Sequence, residues 1–301
     1  MPRCVRRSRT ARSARSPVTG GWCFSEGAHR WPVSDCTAEA VEALHDLPES
    51  GDGADWEAAT RFLLARQNPD GGFGTYEARR GPKWLERLNP AEMFTDCMTE
   101  SSYVECTGSA ALALAQLRYR TDPALARRCA DALNRARDFL LRAQGGDGSW
   151  PAWWGVHRIY GTLFAVRGLV ATGLSLTHPA LVAARRWLTD VQHSDGSWSE
   201  LPASHPHSPY RPSSAGTPVS TAWALLALAD LDAVGTPAAR AGIAWLCARQ
   251  HPDGSWPAQP PVGVFFGTAV LDYRLYAAYF PLWALGRHLP TAPIRVPGVN
   301  R

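Results

Sequence analysis

A carboxyl group, a thiol and a hydroxyl group stand side by side at Asp35, Cys36 and Thr37. A carboxyl group can transfer a proton, and a neighbouring thiol can donate a hydrogen bond to its oxygens. Apolar residues follow at helical spacing, beginning with Ala38 and Val41. These residue types predict a proton-donating group at the N-terminus of a helix.

The same aspartate has a purely structural interpretation. Ser and Asp are among the most frequent N-cap residues, and Ser34 and Asp35 stand at the expected position. Judged from this stretch alone, capping is favoured over chemistry. The recurrence of the stretch elsewhere in the chain changes that balance.

Five segments share one layout around a threonine, and each is followed by apolar and small residues. Such a composition is typical of helices that are buried nearly all round. The segments are residues 35–40, 105–110, 160–165, 219–224 and 266–271, with the threonines Thr37, Thr107, Thr162, Thr221 and Thr268. They predict five inner helices whose N-terminal ends lie at one mouth.

A second repeat is interleaved with the first. In four places a glutamine precedes an aromatic residue by six positions, across an Asp-Gly turn. The four turns are Gln67 to Phe73, Gln144 to Trp150, Gln192 to Trp198 and Gln250 to Trp256. Outer helices should therefore alternate with the inner ones, because recurrent units of this length stack side by side.

The predicted fold is all-α: an α/α barrel, or toroid of helical hairpins. Five inner copies leave a closed ring of six one hairpin short. At the shared mouth, Asp35, Cys36 and Cys106 should converge from adjacent inner helices.

Charge separates the first residues from the rest of the chain. The formal net charge is +4, from 31 basic and 27 acidic residues, but residues 1–20 contain six arginines and no acid. Without them, 25 basic residues face 27 acidic ones, a balance that argues against nucleic acid as a partner. We predict a disordered basic leader or a misplaced start at 1–20, the barrel domain at 21–290 and a tail at 291–301.

Cysteine usage and hydropathy limit the cellular setting. Seven cysteines form no C-x-x-C pair, which favours reduced thiols in an intracellular protein. No run of eighteen apolar residues occurs, so no segment is predicted to span a membrane.

Aromatic residues are frequent near the predicted inner-helix starts. The chain has 13 Trp, 9 Phe and 8 Tyr, and those at the Gln-led turns are assigned to packing. A mouth lined by the others suits a hydrophobic substrate that becomes cationic, since ring faces attract cations without acting as nucleophiles.

The motifs together resemble one family. Residues 33–39, Val-Ser-Asp-Cys-Thr-Ala-Glu, resemble the acid motif of the oxidosqualene cyclases, the lanosterol and cycloartenol synthases. The Gln-to-aromatic turns resemble the QW repeats of the terpene cyclase/mutase superfamily. Further similar stretches are residues 74–77, 88–94, 103–107 and 280–287, so that the resemblance covers residues 21–289.

The resemblance implies an isomerase that cyclises (3S)-2,3-oxidosqualene to a triterpenoid. It implies that Asp35 is the general acid that protonates the epoxide, and that Cys36 and Cys106 hydrogen-bond its carboxyl group. It places cation-stabilising or template residues at Phe24, Tyr76, Phe94, Tyr103, Trp154, Phe265 and Tyr273. His29 and Val33 fall at positions that influence the product, and Val33 favours a lanosterol-type outcome. Neither a metal nor an organic cofactor is implied.

The chain departs from this family in length. Family members carry a second helical barrel and an N-terminal segment that add cavity residues. We therefore interpret the chain as the C-terminal part of a cyclase, with a separate N-terminal half as a partner. Monotopic association with an intracellular membrane is implied by the same resemblance.

Two alternatives remain. The chain could be a non-catalytic remnant or one half of a split cyclase, and exposed apolar faces would then require a partner. A protein prenyltransferase β-subunit has a similar ring but needs a zinc site. Asp35 and Cys36 lack an evident histidine partner for zinc, apart from His29 nearby in sequence.

Overall fold

A computed structural model describes residues 18–25, 31–46, 55–79, 81–91, 98–203, 205, 207–265 and 269–288. Helices dominate this part of the chain, which confirms the all-α prediction. The helices are α1 (Ser34–Asp46), α2 (Trp56–Leu64), α3 (Val104–Leu117), α4 (Pro123–Ala143), α5 (His157–Ala171), α6 (Pro179–Asp190), α7 (Pro218–Asp230), α8 (Pro237–Arg249), α9 (Tyr276–His288) and a 3₁₀ helix at Lys83–Leu88.

Inner and outer helices alternate along the chain. The inner helices α1, α3, α5, α7 and α9 pack side by side in that order, while α2, α4, α6 and α8 pack outside them. The inner helices α5 and α7 are buried on nearly every face, whereas α4 buries one stripe of apolar residues. This is the predicted toroid of hairpins, and the expectation that it is one hairpin short of a closed ring of six stays a prediction.

The four Gln-led turns share one geometry. Each glutamine Nε2 donates to the carbonyl of the turn glycine, at 2.8–3.0 Å. Three of the four also donate to a carbonyl of the next outer helix: Gln67 to Ala132, Gln144 to Ala180 and Gln192 to Ala238. We call this pair of bonds the glutamine clasp, and it fastens each turn to the neighbouring hairpin.

The turn glycines make close backbone packing possible. Gly71, Gly148, Gly196 and Gly254 have φ between +86° and +96°, which a side chain would disfavour. At Gly148 an added Cβ would also lie 2.8 Å from the Ala183 carbonyl oxygen of α6. The tryptophans of three turns bind their own outer helix, as when Trp198 Nε1 donates to Leu188 O at 2.8 Å.

The threonines of the first four inner helices each bind the turn that precedes their helix. Each threonine Oγ1 accepts the backbone N–H of the preceding turn's aromatic residue. The pairs are Thr37 with Trp22, Thr107 with Phe73, Thr162 with Trp150 and Thr221 with Trp198, at 2.9–3.2 Å. The threonine repeat therefore connects an inner helix to the turn before it.

The hydrogen bond between Thr37 and Trp22 reveals a fifth turn of the same kind, which the repeat pattern in the sequence did not predict. Gly20 has φ +88°, and an added Cβ would lie 2.2 Å from the Ala58 backbone in α2. Residues 18–20, which the predicted boundary assigned to the leader, thus belong to this turn. Residues 1–17 and 289–301 lie outside the described part.

The fifth predicted helix start is wrong. Residues 269–271 form strand β4 (Ala269–Leu271), antiparallel to β3 (Gly263–Phe265), and the fifth inner helix begins only at Tyr276. Thr268 lies outside the described residues. A second small hairpin pairs β1 (Trp22–Cys23) with β2 (Pro32–Val33), directly before α1.

Candidate active site

Asp35 lies in the first turn of α1, fastened to a neighbouring segment. Ser34 N donates to Thr75 O at 2.8 Å, and Ser34 Oγ donates to Gly74 O at 2.7 Å. Asp35 Oδ1 accepts from the next backbone N–H, of Cys36, at 2.8 Å. Because α1 begins at Ser34, Asp35 stands inside the helix, and it does not make the contact of an N-cap side chain.

The surroundings of Asp35 favour the protonated carboxyl group. Burial raises the pKa of Asp35, and the hydrogen bonds from the Cys36 backbone and thiol oppose that rise. Burial and the nearby Asp35 charge raise the pKa of the Cys36 thiol in turn. Cys36 therefore stays protonated and donates to Asp35, and the helix N-terminus also interacts favourably with negative charge at this position.

Cys106, on α3, is fully buried near this acid. Its Sγ lies 3.3 Å from Thr75 Oγ1, with which it shares a hydrogen bond. Burial and then the negative charge of Asp35 raise the pKa of the Cys106 thiol. The structure thus brings Cys106 into the field of Asp35, but its hydrogen-bond partner is Thr75 rather than the acid.

Three of the predicted aromatic residues lie on the Asp35 side. Burial, followed by the charge of Asp35, raises the pKa of Tyr76 to about 12, and the same two causes raise the pKa of Tyr273. The ring of Tyr273 meets that of Phe24 edge to face at 6.5 Å. Phe24 is 62% exposed, so it forms the outer border of this group.

The other three described aromatic residues form a second group. The Trp154 ring contacts Tyr103 at 6.0 Å and Phe265 at 5.4 Å, both edge to face. Tyr103 is fully buried at the start of α3. The predicted π-faces therefore divide between two contact groups, one beside the acid and one beside α3 and β3.

Two predicted site residues, His29 and Phe94, lie outside the described residues. Val33 is buried, with 1% exposure, and its carbonyl accepts from Thr37 Oγ1 at 2.7 Å. Val33 directly precedes α1 and pairs with Trp22 across β1 and β2. Its side chain is therefore fixed close to the acid.

A further aromatic cluster lies among the inner helices α5, α7 and α9. The fully buried Trp223 of α7 contacts Tyr160 at 4.7 Å, Phe280 at 5.6 Å and Tyr276 at 6.2 Å. Their inner-helix positions are the only signal in the sequence that could have assigned them to the ring interior.

A cavity of about 320 Å³ lies between α1, α5 and α9, one helical turn beyond Asp35. Glu39 lines this cavity, and the residue is exposed although protein partly desolvates its carboxyl group. That desolvation, with repulsion from Asp35, raises the pKa of Glu39 against the attraction of Arg167. A larger cavity of about 490 Å³ lies at α6, remote from every predicted site residue.

Buried glutamates hold the backbone of the site, and none was predicted. Glu100 accepts from the backbone N–H groups of Thr75, Tyr76 and Glu77 at 3.0–3.4 Å. Glu200 accepts from three N–H groups at the start of α5, at 2.8–3.2 Å, and burial raises the pKa of Glu200 to about 7. Glu105 accepts from the backbone N–H groups of residues 153 and 154.

Two features are absent from the part of the chain that the structure describes. No group of three or more His, Cys, Asp and Glu side chains is arranged there to hold a metal ion. None of the helices there combines the length and hydropathy needed to cross a bilayer.

The alternating inner and outer helices form an α/α toroid, a fold that solved terpene cyclases also have. The solved ent-copalyl diphosphate synthase from Streptomyces platensis has a similar fold, with a TM-score of 0.59 at 22% identity, over 87% of this chain and 43% of that one. Similarity in sequence, rather than in fold, identifies the family. The chain belongs to the family of the squalene-hopene cyclase C-terminal domain, whose model matches residues 5–290.

Curated relatives agree with this family. A cycloartenol synthase from Dictyostelium discoideum is 37% identical over 281 residues, and a lanosterol synthase from Homo sapiens is 35% identical over 287. These alignments cover 89% and 92% of this chain but 39% of each relative. The chain therefore spans about two fifths of the length of these relatives, which confirms the predicted resemblance to the C-terminal part.

Proposed function

We propose that this chain is the acid-bearing part of a triterpene cyclase. In this proposal Asp35 protonates the epoxide of (3S)-2,3-oxidosqualene, and the ring interior steers cationic polycyclisation to a sterol-type product. The reaction is an isomerisation, because the proton added at the start is returned when the final cation is deprotonated. No cofactor takes part.

The observation that carries the proposal is the environment of Asp35. An epoxide oxygen is a weak base, so its protonation requires a neutral carboxylic acid at neutral pH. The raised pKa of Asp35 supports this state, and the Cys36 thiol is placed to stabilise the carboxylate that forms. The aspartate thus remains protonated until substrate arrives and is a stronger acid than its burial alone would allow.

The aromatic groups supply the second requirement, which is stabilisation of carbocations without capture. Tyr76, Tyr273 and Phe24 are placed for the ring that forms next to the acid. Trp154, Phe265 and Tyr103 are placed for charge that develops farther along the chain of the substrate. A ring face is worth about 0.5–2 kcal/mol to a cation when water is excluded.

The direct test is incubation of the purified chain in detergent with racemic 2,3-oxidosqualene, followed by gas chromatography and mass spectrometry. We expect a cyclised product that disappears in Asp35→Asn, since an amide cannot donate the proton. Asp195→Asn is the matched control, because Asp195 belongs to a remote turn. Soluble, helical protein that forms no product would contradict activity of this chain alone and would favour the non-catalytic alternative.

The lanosterol-type outcome rests on Val33. Its buried position, two residues before Asp35 and directly before α1, supports a role in shaping the first ring. We expect Val33→Ile to change the ratio of products at unchanged substrate consumption. An identical product ratio would remove Val33 from the specificity determinants.

A partner and a membrane surface complete the proposal. Apolar side chains of β4, α9 and the turn between them are exposed, namely Val270 at 43%, Leu275 at 73%, Tyr279 at 44% and Leu282 at 56%. We propose that this face binds an intracellular membrane peripherally and that a separate N-terminal half completes the enzyme at another surface. Flotation with phosphatidylcholine vesicles, with and without Leu275→Ser and Leu282→Ser, tests the membrane part. Flotation that does not depend on these two residues would contradict this face as the contact.

The zinc-dependent prenyltransferase remains the remote alternative. It would need a histidine beside Asp35 and Cys36, and His29 lies outside the described residues. Metal analysis of the purified chain, with activity measured before and after chelation, separates the two enzymes. Stoichiometric zinc whose removal abolishes activity would favour the alternative.

A further inference from the structure

Glu105 is a buried acid that the proposed proton transfer does not use. It lies in the first turn of α3, next to Cys106, and is 3% exposed. Its Oε1 accepts from Trp153 N at 2.6 Å and from Trp154 N at 2.7 Å. Its other oxygen, Oε2, is buried without a hydrogen-bond partner. Both bonds of this side chain therefore go to one short segment, residues 153–154.

That segment is the backbone to which other site residues are attached. Val264 N donates to Trp154 O at 3.1 Å, and Val156 N donates to Val262 O at 2.9 Å. These bonds pair residues 154–156 with β3, so that Gly155 lies opposite Gly263. Phe265, the last residue of β3, then contacts the Trp154 ring at 5.4 Å.

Tyr273 is positioned by the same strand. An added Cβ at Gly263 would lie 2.4 Å from the Tyr273 ring, so this ring packs directly on the backbone of β3. A continuous series of contacts thus runs from Glu105 through residues 153–156 and β3 to Trp154, Phe265 and Tyr273. These are three of the aromatic residues predicted to stabilise cations.

We propose that Glu105 is a positioning residue that sets the Trp154, Phe265 and Tyr273 rings for cyclisation, an inference that rests on the proposed function. An oxygen that accepts bonds of 2.6 Å and 2.7 Å from two adjacent N–H groups fixes the segment more firmly than non-directional apolar packing does. Glu100 acts in the same way on another segment, by accepting from the backbone N–H of Tyr76.

The comparison of Glu105→Gln with Glu105→Leu isolates the acceptor. A glutamine keeps an oxygen at the Oε1 position, whereas leucine has similar volume and leaves both N–H groups without an acceptor. Glu105→Asn, which is shorter by one carbon, is the further variant if the leucine chain does not fold by circular dichroism. Glu100→Leu is the matched control, because it removes the same kind of contact from residues 75–77.

Amide hydrogen exchange read by mass spectrometry tests the contact without requiring turnover. In Glu105→Leu we expect exchange about 10- to 100-fold faster at residues 153–156 and 262–265, the range that loss of two buried hydrogen bonds allows. Residues 75–77 should stay unchanged, and Glu100→Leu should give the reverse pattern. Glu105→Gln should restore wild-type exchange. Unchanged exchange in Glu105→Leu and Glu105→Asn, or equally fast exchange in Glu105→Gln, would overturn the proposal.

Product analysis with 2,3-oxidosqualene then separates positioning from general stability. We expect Glu105→Leu to release products of earlier deprotonation or fewer rings, as Trp154→Phe should, while Glu105→Gln keeps the parental product. A uniform loss of rate with the parental product would overturn the positioning role. If the wild-type chain forms no product, the proposed function of the chain alone fails, and the exchange result still decides whether Glu105 holds the segment.

Discussion

Aspartates in two regions of this molecule meet opposite electrostatic conditions. At the outer turns, Asp195 accepts from Ser197 N at 3.0 Å and from Trp245 Nε1 at 2.8 Å. Hydrogen bonds from Ser197 and Trp245 lower the pKa of Asp195 and outweigh its slight burial. At the mouth, Asp35 also accepts a nearby backbone N–H, yet burial outweighs the bond and its pKa rises.

The difference shows that the neighbours of a carboxyl group decide its chemistry more than its local motif. Both aspartates accept an N–H close in sequence, as turn and helix-start aspartates commonly do. Only Asp35 is desolvated by the protein around it, with the Cys36 thiol and the Tyr76 and Tyr273 rings nearby. The turn therefore favours the ionised aspartate, whereas the surroundings of Asp35 favour the protonated one.

The largest expected effect comes from removing the proton. Asp35→Asn should reduce cyclisation at least about 10²- to 10⁴-fold, the usual contribution of a general acid, while Asp195→Asn should leave the rate within about twofold. Initial rates with 2,3-oxidosqualene at equal folded protein concentration measure both. Comparable losses in the two variants would break the distinction between the regions.

A second effect belongs to the turns alone. Gln192→Ala removes donations to Gly196 O and Ala238 O and should lower the free energy of unfolding by about 1–3 kcal/mol. Gln250→Ala removes one exposed bond and should change it by no more than about 0.5 kcal/mol. Urea denaturation followed by circular dichroism measures both, and equal losses would show that the second bond of the glutamine clasp adds no stability.

The smallest effect is a pH dependence of opposite sign. Because the pKa of Asp35 is raised on folding, its contribution to stability decreases as pH rises from the ordinary value of 3.8 through the folded value. For Asp195 the pKa is lowered, so its contribution is present above the ordinary value and is lost as pH falls through the folded one.

Thermal denaturation of Asp35→Asn and Asp195→Asn between pH 3 and pH 8 measures this difference. Relative to wild type, Asp35→Asn should gain stability with rising pH and Asp195→Asn should lose it. For Asp195→Asn the loss should be about 1 kcal/mol or less, because that turn is partly exposed. Parallel curves for the two variants would contradict the opposite shifts.

Much of the architecture was predictable because its signals are local and repeated. The glutamine turns and threonine starts recur with fixed spacing, and the turns occupy the same geometry in each copy. The turn at Gly20 escaped because Thr19 stands where the other copies have aspartate, so its signature is incomplete. The β3–β4 hairpin was taken for a helix start because a short apolar run does not distinguish a strand from a buried helix.

The candidate site likewise contains residues with a local sequence signal and residues without one. Asp35 and Cys36 were predicted from adjacent residues, and the structure places them together. The roles of Glu100, Glu105 and Glu200 depend on backbone N–H groups that lie more than twenty residues away in sequence. A single sequence holds no local sign of such contacts. Thr75, the partner of Cys106, was hidden for the same reason.

The glutamine clasp also determines how mechanical disturbance spreads through this molecule. Each clasp joins one turn to the next outer helix and to no element across the ring, as in repeat proteins whose cooperativity passes between nearest neighbours. A loosened turn should therefore soften one adjacent hairpin and fade beyond it. Substitutions in the outer turns should therefore change thermal stability one hairpin at a time, without altering the surroundings of Asp35.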